Sequence, residues 1–261
     1  MSPARSTDPQ DYQNVPRCVA AMAKSFADRE ETGAHAHQRD QLIHAVSGVM
    51  RVDTAAATWI VPPGRALYMP AGVVHSVAMR GRVEMRTLYI RAPAAAALPA
   101  EPVVLEVSEL LRALILALLE EPLLYDEQGR GGHLAGLIID EIARARRLAL
   151  KIPMPRDVRL MRLCERLMAD PASGDTLDRL AEGTGASVRT LTRLFQSETG
   201  LTFTQWRQRL RFTNAFEALA RGAPVGEVAR SCGYASPSAF TAAFRKALGV
   251  TPAALARNAA P

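Results

Sequence analysis

The sequence predicts a two-domain α+β protein: a β-barrel or sandwich with a helical extension, followed by an all-α domain. Three observations carry that expectation. Apolar residues come in short β-branched runs up to about residue 90 and switch to helical spacing from residue 108. Beyond residue 175 a helix–turn–helix pattern occurs twice. The formal net charge of +6 is also unevenly placed. Residues 1–155 hold 17 Lys+Arg and 17 Asp+Glu, whereas residues 156–261 hold 15 and 9, so the whole excess lies in the last part. A length of 261 residues suits two domains of ordinary size.

The N-terminal stretch "MSPARSTDPQDYQ" has no apolar run of the kind a signal peptide needs, and residues 1–16 are expected to be disordered. Cys18, Cys164 and Cys232 are scattered and odd in number. They fit neither a disulfide framework nor a zinc knuckle, and they suit a reducing cytoplasm. The longest apolar run, "ALILALL", is far too short to span a bilayer, so no membrane partner is expected.

Residues 17–100 read as the β domain. "QLIHAVSGVMRV" and "RVEMRTLYI" are strand-like, and Ser47-Gly48, "VPPGR" and "MPAGV" are turn signals. Ahead of them, "GAHAHQRDQL" places His35 and His37 two positions apart, with Gln41 close behind. Alternate residues of a strand share a face, so both imidazoles are positioned to look into one cavity. His44 has the opposite parity to Gln41 and is expected to point out of the barrel, in a structural or surface role. Trp59 and Tyr68 are candidates to touch a ligand inside the barrel; packing against neighbouring strands is the alternative.

Residues 101–150 read as a helical segment after a Pro/Ala connector, Arg91–Pro102. "SELLRALILALLEE" has Ser108 as N-cap and ends at Pro122. "GGHLAGLIIDEIARARR" is a second amphipathic helix with Leu134, Leu137, Ile138 and Ile142 on one side. Those four residues are either core cover or a homodimer seam. "KIPMP", residues 151–155, reads as the interdomain linker because Ile152 and Met154 each precede a proline.

The C-terminal domain, residues 156–261, carries the repeated pattern. A helix near Leu177–Glu182 leaves through Gly183 or Gly185. Ser187 caps the next helix, which buries Leu191, Leu194 and Phe195 and turns Val188, Arg189, Thr190, Thr192 and Arg193 outward. In the second copy, Val225–Ser231 turns at Gly233. Ser236 then caps a helix with Pro237 at its first position, Phe240 and Phe244 inward, and Ser238, Ala239, Thr241 and Ala242 outward. A helix of about 17 residues lies between the copies, roughly 25 Å of rod, enough to hold two reading helices in successive major grooves. The excess positive charge fits either a polyanionic partner or a solvated surface.

The runs "LAEGTGASVRTLTRLFQSETGLTFTQWRQRLR" and "EVARSCGYASPSAFTAAFRKALGVTPAAL" resemble the DNA-binding domain of AraC/XylS-family transcription regulators. The resemblance covers residues 156–257 and implies a double-stranded DNA operator, with RNA polymerase as a further partner. It implies that Ser187, Arg189, Thr190, Thr192 and Arg193 face one half-site. Ser236, Ser238 and Thr241 would face a second, and Arg245 and Lys246 would meet phosphates. Ala242 stands where relatives that read strongly with the second element often carry arginine. The first helix is therefore expected to supply most sequence preference and the second to position the protein.

"GRALYMPAGVVH" has Gly64, Pro70-x-Gly72 and His75 at the spacing of the second cupin motif, and His35-x-His37 with Gln41 resembles the first. The resemblance implies a jelly-roll β-barrel whose His35, His37, Gln41 and His75 would hold one divalent transition metal, Zn, Ni, Mn or Fe. Gln41 replaces the usual glutamate and Met79 the usual asparagine. Without a carboxylate there is no 2-His-1-carboxylate iron site, which argues against oxygenase chemistry. The alternative is a metal-free polar pocket for a small effector. "HAVSGVMRV" and "WIVPPGRALYMPAGVVHSV" look closest to the subgroup that controls neighbouring efflux-pump genes. Three readings follow: a one-component regulator sensing a metal or small ligand, a cupin-type metalloenzyme with an accessory helical domain, and an architectural nucleic-acid binder. The double motif favours the first.

Overall fold

The computed structural model describes residues 6–148, 150–220, 222–248 and 251–254. The chain divides into two compact units, residues 1–52 with 60–149 and residues 53–59 with 150–260.

The first unit is built on a sheet with strand order β1-β5-β2-β4-β6-β7. Its strands are β1 (Val19–Phe26), β2 (Asp40–Asp53), β4 (Arg65–Met69), β5 (Ser76–Ile90), β6 (Val103–Glu106) and β7 (Arg147–Leu148); β3 (Ala57–Val61) lies between β2 and β4 in sequence. β1 runs antiparallel to β5 with Val19 opposite Ile90 and Met22 opposite Thr87. Strand parity then divides the residues between two faces. Val19, Ala21, Leu42, Ala66, Tyr68, Leu88 and Ile90 pack in one cluster with Leu111, Leu114 and Leu118 of α2 (Glu109–Glu120) and Ala135, Ile138 and Ile142 of α3 (Arg130–Arg144). Residues of the other parity, Met22, Gln41, Ile43, Met85 and Tyr89, line a cavity.

Several expectations change here. Ser47-Gly48 is not a turn: β2 runs through it, with Gly48 at φ 71°. A Cβ there would lie 2.5 Å from the Arg82 carbonyl oxygen, so only glycine lets β5 pass this close. Residues 6–16 are ordered, not disordered; residues 1–5 lie outside the described residues. A 3₁₀ turn at Pro9–Tyr12 is capped by Asp8, and Tyr12 is buried, stacked on Tyr89 at 5.8 Å. The buried Arg39 guanidinium fixes this segment by donating to the carbonyls of Gln13, Val15 and Arg17. That pattern of one side chain serving three distant carbonyls has no local sequence signature. The helical segment of residues 101–150 also contains β6 and β7, and a one-turn helix α1 (Ala92–Ala95) sits in the connector. Ile138 and Ile142 are buried, 0% and 1% exposed, against the sheet's outer face. They are core residues of one chain, not seam residues. Leu134 is partly buried against the same core, and Leu137 is exposed.

In the second unit the expected linker is a strand. β8 (Lys151–Pro153) pairs antiparallel with Ala57–Trp59. Its Pro153 carbonyl accepts a 2.8 Å hydrogen bond from the Trp206 indole. The helices follow the sequence pattern closely: α4 (Val158–Ala169), α5 (Leu177–Ala181), α6 (Val188–Leu194), a π-turn at Phe195–Thr199, α7 (Phe203–Ala220), α8 (Val225–Ser231) and α9 (Pro237–Leu248). Asp157, Thr176 and Ser187 each cap the helix that follows through the side-chain oxygen. Gly183, Gly185 and Gly233 all take positive φ at the turns. The 18 residues of α7 make a rod of about 27 Å. Its first half gives Trp206 and Leu210 to a core with Leu163, Leu180, Leu191 and Phe195. Its second half gives Phe212 and Phe216 to an aromatic core with Phe240 and Phe244, ring centroids 5.0–6.1 Å apart. Such ring pairs each add about 0.5–1.5 kcal/mol beyond area burial. One helix thus holds both helix–turn–helix elements. Of the sequence run Gly249–Pro252, Gly249 and Val250 fall outside the described residues.

Candidate functional site

The two histidine motifs are brought together by backbone pairing. His35 and His75 form an antiparallel bridge, each N–H donating to the other's carbonyl at 2.9 Å. Residues directly opposite in such a bridge hold their side chains on the same face. The Gly72 N–H donates to the His37 carbonyl at 2.9 Å, which ties the "PAG" turn to the first motif. The result is a cluster of His35, His37 and His75 whose ligand atoms all lie within 4.8 Å of one another. The ring centroids are 4.5–5.5 Å apart.

Hydrogen bonding sets the tautomers. His35 Nδ1 lies 2.8 Å from the Gly33 carbonyl and His75 Nδ1 lies 2.9 Å from the Val73 carbonyl. A carbonyl only accepts, so Nδ1 carries the proton in both rings and Nε2 keeps a free lone pair. His75 Nε2, both ring nitrogens of His37 and the Gln41 Oε1 are buried with no protein partner among the described residues. The Gln41 amide is oriented by donating from Nε2 to Thr87 Oγ1 at 3.0 Å and to the Tyr89 hydroxyl at 3.4 Å. Burial, reinforced by the neighbouring His35 and His75, lowers the His37 pKa to about 4. Burial also lowers that of His75. Both rings are therefore neutral at pH 7, the form that coordinates a metal. Three imidazoles, two with Nδ1 anchored to a backbone carbonyl, plus one amide carbonyl lining the same cavity offer an N₃O donor set that fits a divalent transition metal. Its carbonyl-anchored Nδ1 atoms are the usual second shell of such a site.

These donors open into a cavity of about 190 Å³ lined also by Met22, Lys24, Phe26, Val77, Met79, Met85 and Tyr89, with Pro9 and Gln10 from the N-terminal turn. Trp59 and Tyr68, the two aromatic ligand candidates, do not line it. Tyr68 belongs to the sheet's outer face, where its hydroxyl donates to Asp40. Trp59 is buried elsewhere, with the Lys151 ammonium 5.8 Å from its ring centre. His44 does avoid the cavity, as parity required, but it is buried, with Nδ1 on the Arg65 carbonyl at 2.9 Å. Tyr89, Met22 and Lys24 were absent from the sequence reading. Their alternation along β1 and β5 was the available signal, and the register that aims it at the cavity was not.

The second candidate surface is the outward side of α6 and α9. Ser187 and Thr190 spend their hydroxyls on the cap: Ser187 Oγ accepts from the Thr190 N–H at 3.2 Å and lies 3.0 Å from Thr190 Oγ1. Thr192 donates back to the Val188 carbonyl at 2.9 Å. Arg189 and Arg193 are exposed, and neither makes an ion pair among the described residues. On α9, Ser236 accepts from the Ala239 N–H at 3.2 Å. Ser238, Ala239 and Ala242 are exposed, Thr241 is half-buried, and Arg245 and Lys246 are exposed one turn further on.

A helix-turn-helix domain family matches residues 180–258 and a cupin domain family matches residues 25–91. The HTH-type transcriptional regulator NimR of Escherichia coli (strain K12) is 32% identical over 234 residues, 90% of this chain and 85% of that protein. The chain belongs to the AraC family of transcription regulators. RipA of Corynebacterium glutamicum is 38% identical over 101 residues, 39% of this chain and 30% of its own length. The solved structure of ToxT from Vibrio cholerae aligns over 93% of this chain and 99% of its own at 10% identity, with a TM-score of 0.39. This AraC-family regulator binds DNA through its C-terminal domain, and the alternative of a cupin enzyme is set aside. Among the described residues no helix is long and apolar enough to cross a membrane.

Proposed function

We propose that this regulator is a one-component sensor whose barrel holds one divalent transition metal on His35, His37 and His75, with the Gln41 carbonyl as fourth donor. The observation that carries the reading is the trio of imidazoles within 4.8 Å, two with Nδ1 anchored to backbone carbonyls. When bound, the ion supplies a Lewis-acidic centre that a small effector can share. His35 and His75 keep their tautomers through Gly33 and Val73. Gln41 keeps its carbonyl aimed by its bonds to Thr87 and Tyr89. Occupancy alters DNA binding to the extent that one arrangement of the barrel favours it. Zn, Ni, Mn and Fe all suit this donor set.

The test is elemental analysis of tag-free protein beside a His75→Ala variant. One tightly held ion per chain, lost in the variant, is the expected result. No ion in either protein overturns the metal reading and leaves a polar pocket for an organic effector.

On the DNA side, Arg189 and Arg193 read bases, because they hold out the exposed guanidiniums of α6 with no ion pair among the described residues. Ser187, Thr190, Ser236 and Thr192 chiefly hold the helices, Ser238 and Thr241 lie in the second groove, and Arg245 and Lys246 meet phosphates. The regulator acts as a homodimer through exposed Leu110, Leu116 and Leu137 of α2 and α3, which replace the buried Ile138 and Ile142 as seam residues. Sedimentation of the full chain at micromolar concentration is expected to give a dimer; a strict monomer removes the seam. The resemblance of the strand motifs to regulators of efflux-pump genes makes a neighbouring transporter gene the target to test first, with RNA polymerase as the partner in activation.

A further inference from the structure

The geometry points to a small organic anion, a monocarboxylate of about single-ring size, as the ligand of the barrel cavity, its acid group held by Lys24. The inference deepens the reading of the barrel as an effector site and rests on it, but it does not require the metal.

Lys24 sits on the cavity-facing parity of β1, opposite Met85 on β5. It is the one lining side chain of fixed charge among the described residues, and no carboxylate lines the cavity with it. Its ammonium makes no ion pair among the described residues and lies 5.1 Å from the centre of the Phe26 ring, which also lines the cavity. The body of the cavity around it is apolar: Met22, Ile43, Val77, Met79 and Met85. An apolar ligand filling that space strips water from the ammonium and gives nothing back, and a neutral carbonyl returns a hydrogen bond but no opposite charge. An anion replaces the lost water with a charge-assisted hydrogen bond.

The remaining polar groups narrow the class. The Gln41 carbonyl and the His75 Nε2, whose Nδ1 is tied to the Val73 carbonyl, present acceptors. With no ion on them, these acceptors draw a donor and repel a carboxylate, so in the metal-free pocket the acid group goes to Lys24. Size limits the rest. An apolar cavity of about 150 Å³ takes benzene, so about 190 Å³ takes one ring with a short substituent. Phe26 and the three methionines supply a flat, polarisable wall for that ring.

The experiment is calorimetric titration of the full chain at pH 7 with cyclohexanecarboxylate and with its neutral isostere cyclohexanecarboxamide. The acid is expected to bind about tenfold or more tightly than the amide, the size of one charge-assisted bond. In Lys24→Met the preference is expected to vanish, the acid losing more affinity than the amide, and in Lys24→Arg, which keeps the charge, to persist. Equal binding of acid and amide, a preference that survives in Lys24→Met, or no binding of either compound overturns the inference. The same pair titrated into His75→Ala separates it from the metal reading. An acid preference retained there supports Lys24, whatever the metal analysis returns. A preference lost there and kept in Lys24→Met assigns the acid to the histidines and overturns it.

Discussion

The two reading elements share one scaffold and differ in what they hold out. Each has a serine cap, a short first helix, a turn through glycine at positive φ, and a second helix anchored by residues of α7. Yet α6 presents the Arg189 and Arg193 guanidiniums, while α9 presents Ser238, Ala239 and Ala242 with Thr241 half-buried. Bidentate arginine–guanine contacts are the commonest specific readout in the major groove, and alanine offers none beyond a thymine methyl. The buried sides differ too. The first core is aliphatic around Trp206 and Phe195, and the second is a cluster of four phenylalanines with Tyr234. Packing has been kept for both elements and chemistry for only one. The second element is therefore read as a positioner whose worth lies in being folded.

The largest way to break that comparison is to unfold the positioner. Phe244 is fully buried, with centroids 5.0–5.5 Å from those of Phe212, Phe216 and Phe240. Phe244→Ala is expected to cost about 3–5 kcal/mol of unfolding free energy in urea. DNA affinity is expected to fall for every sequence alike, with base preference at the half-site under α6 intact. If preference across shuffled half-sites is lost along with affinity, the second element reads as well as positions.

A smaller change addresses readout alone. Arg193→Ala removes one exposed guanidinium without touching either core and is expected to cost about 1–3 kcal/mol of discrimination at one base position. Thr241→Ala is expected to cost less, because its half-buried hydroxyl has little reach. A larger specificity loss from Thr241→Ala, measured across the same shuffled half-sites, reverses the assignment.

The legibility of the two halves of the chain differs for a related reason. In the C-terminal domain each feature is local: Ser187 and Ser236 cap helices starting one residue later, Pro237 sits at the first helical position, and glycines mark the turns. Local rules therefore found α8 at Val225–Ser231 and the burial of Leu191, Phe195, Phe240 and Phe244. In the barrel the histidine motifs were legible because their spacing is local. What faces the cavity was not, since it depends on which strand pairs with which and in what register. Tyr68 lies on β4 one residue out of phase with the cavity, and its face is covered by α2 and α3. The segment Gln13–Arg17 is held by Arg39, more than 20 residues along the chain, and the linker became β8 by pairing with Ala57–Trp59. Ile138 and Ile142 read as a stripe, and a stripe does not say whether a sheet or a second chain covers it.

The smallest expected effect sharpens the comparison at the caps. Replacing a serine N-cap by alanine costs about 1 kcal/mol on average, but the two caps are not equivalent. α6 spans 7 residues, and its cap hydroxyl both accepts from the Thr190 N–H and pairs with the Thr190 hydroxyl. α9 spans 12 residues and starts at Pro237, whose fixed φ orders the first turn without help from Ser236. Ser187→Ala is therefore expected to cost more than Ser236→Ala in thermal unfolding. It is also expected to blur specificity by loosening the helix that carries Arg189 and Arg193, whereas Ser236→Ala leaves specificity unchanged. Equal costs, or a specificity loss confined to Ser236→Ala, would place the reading chemistry on α9 after all.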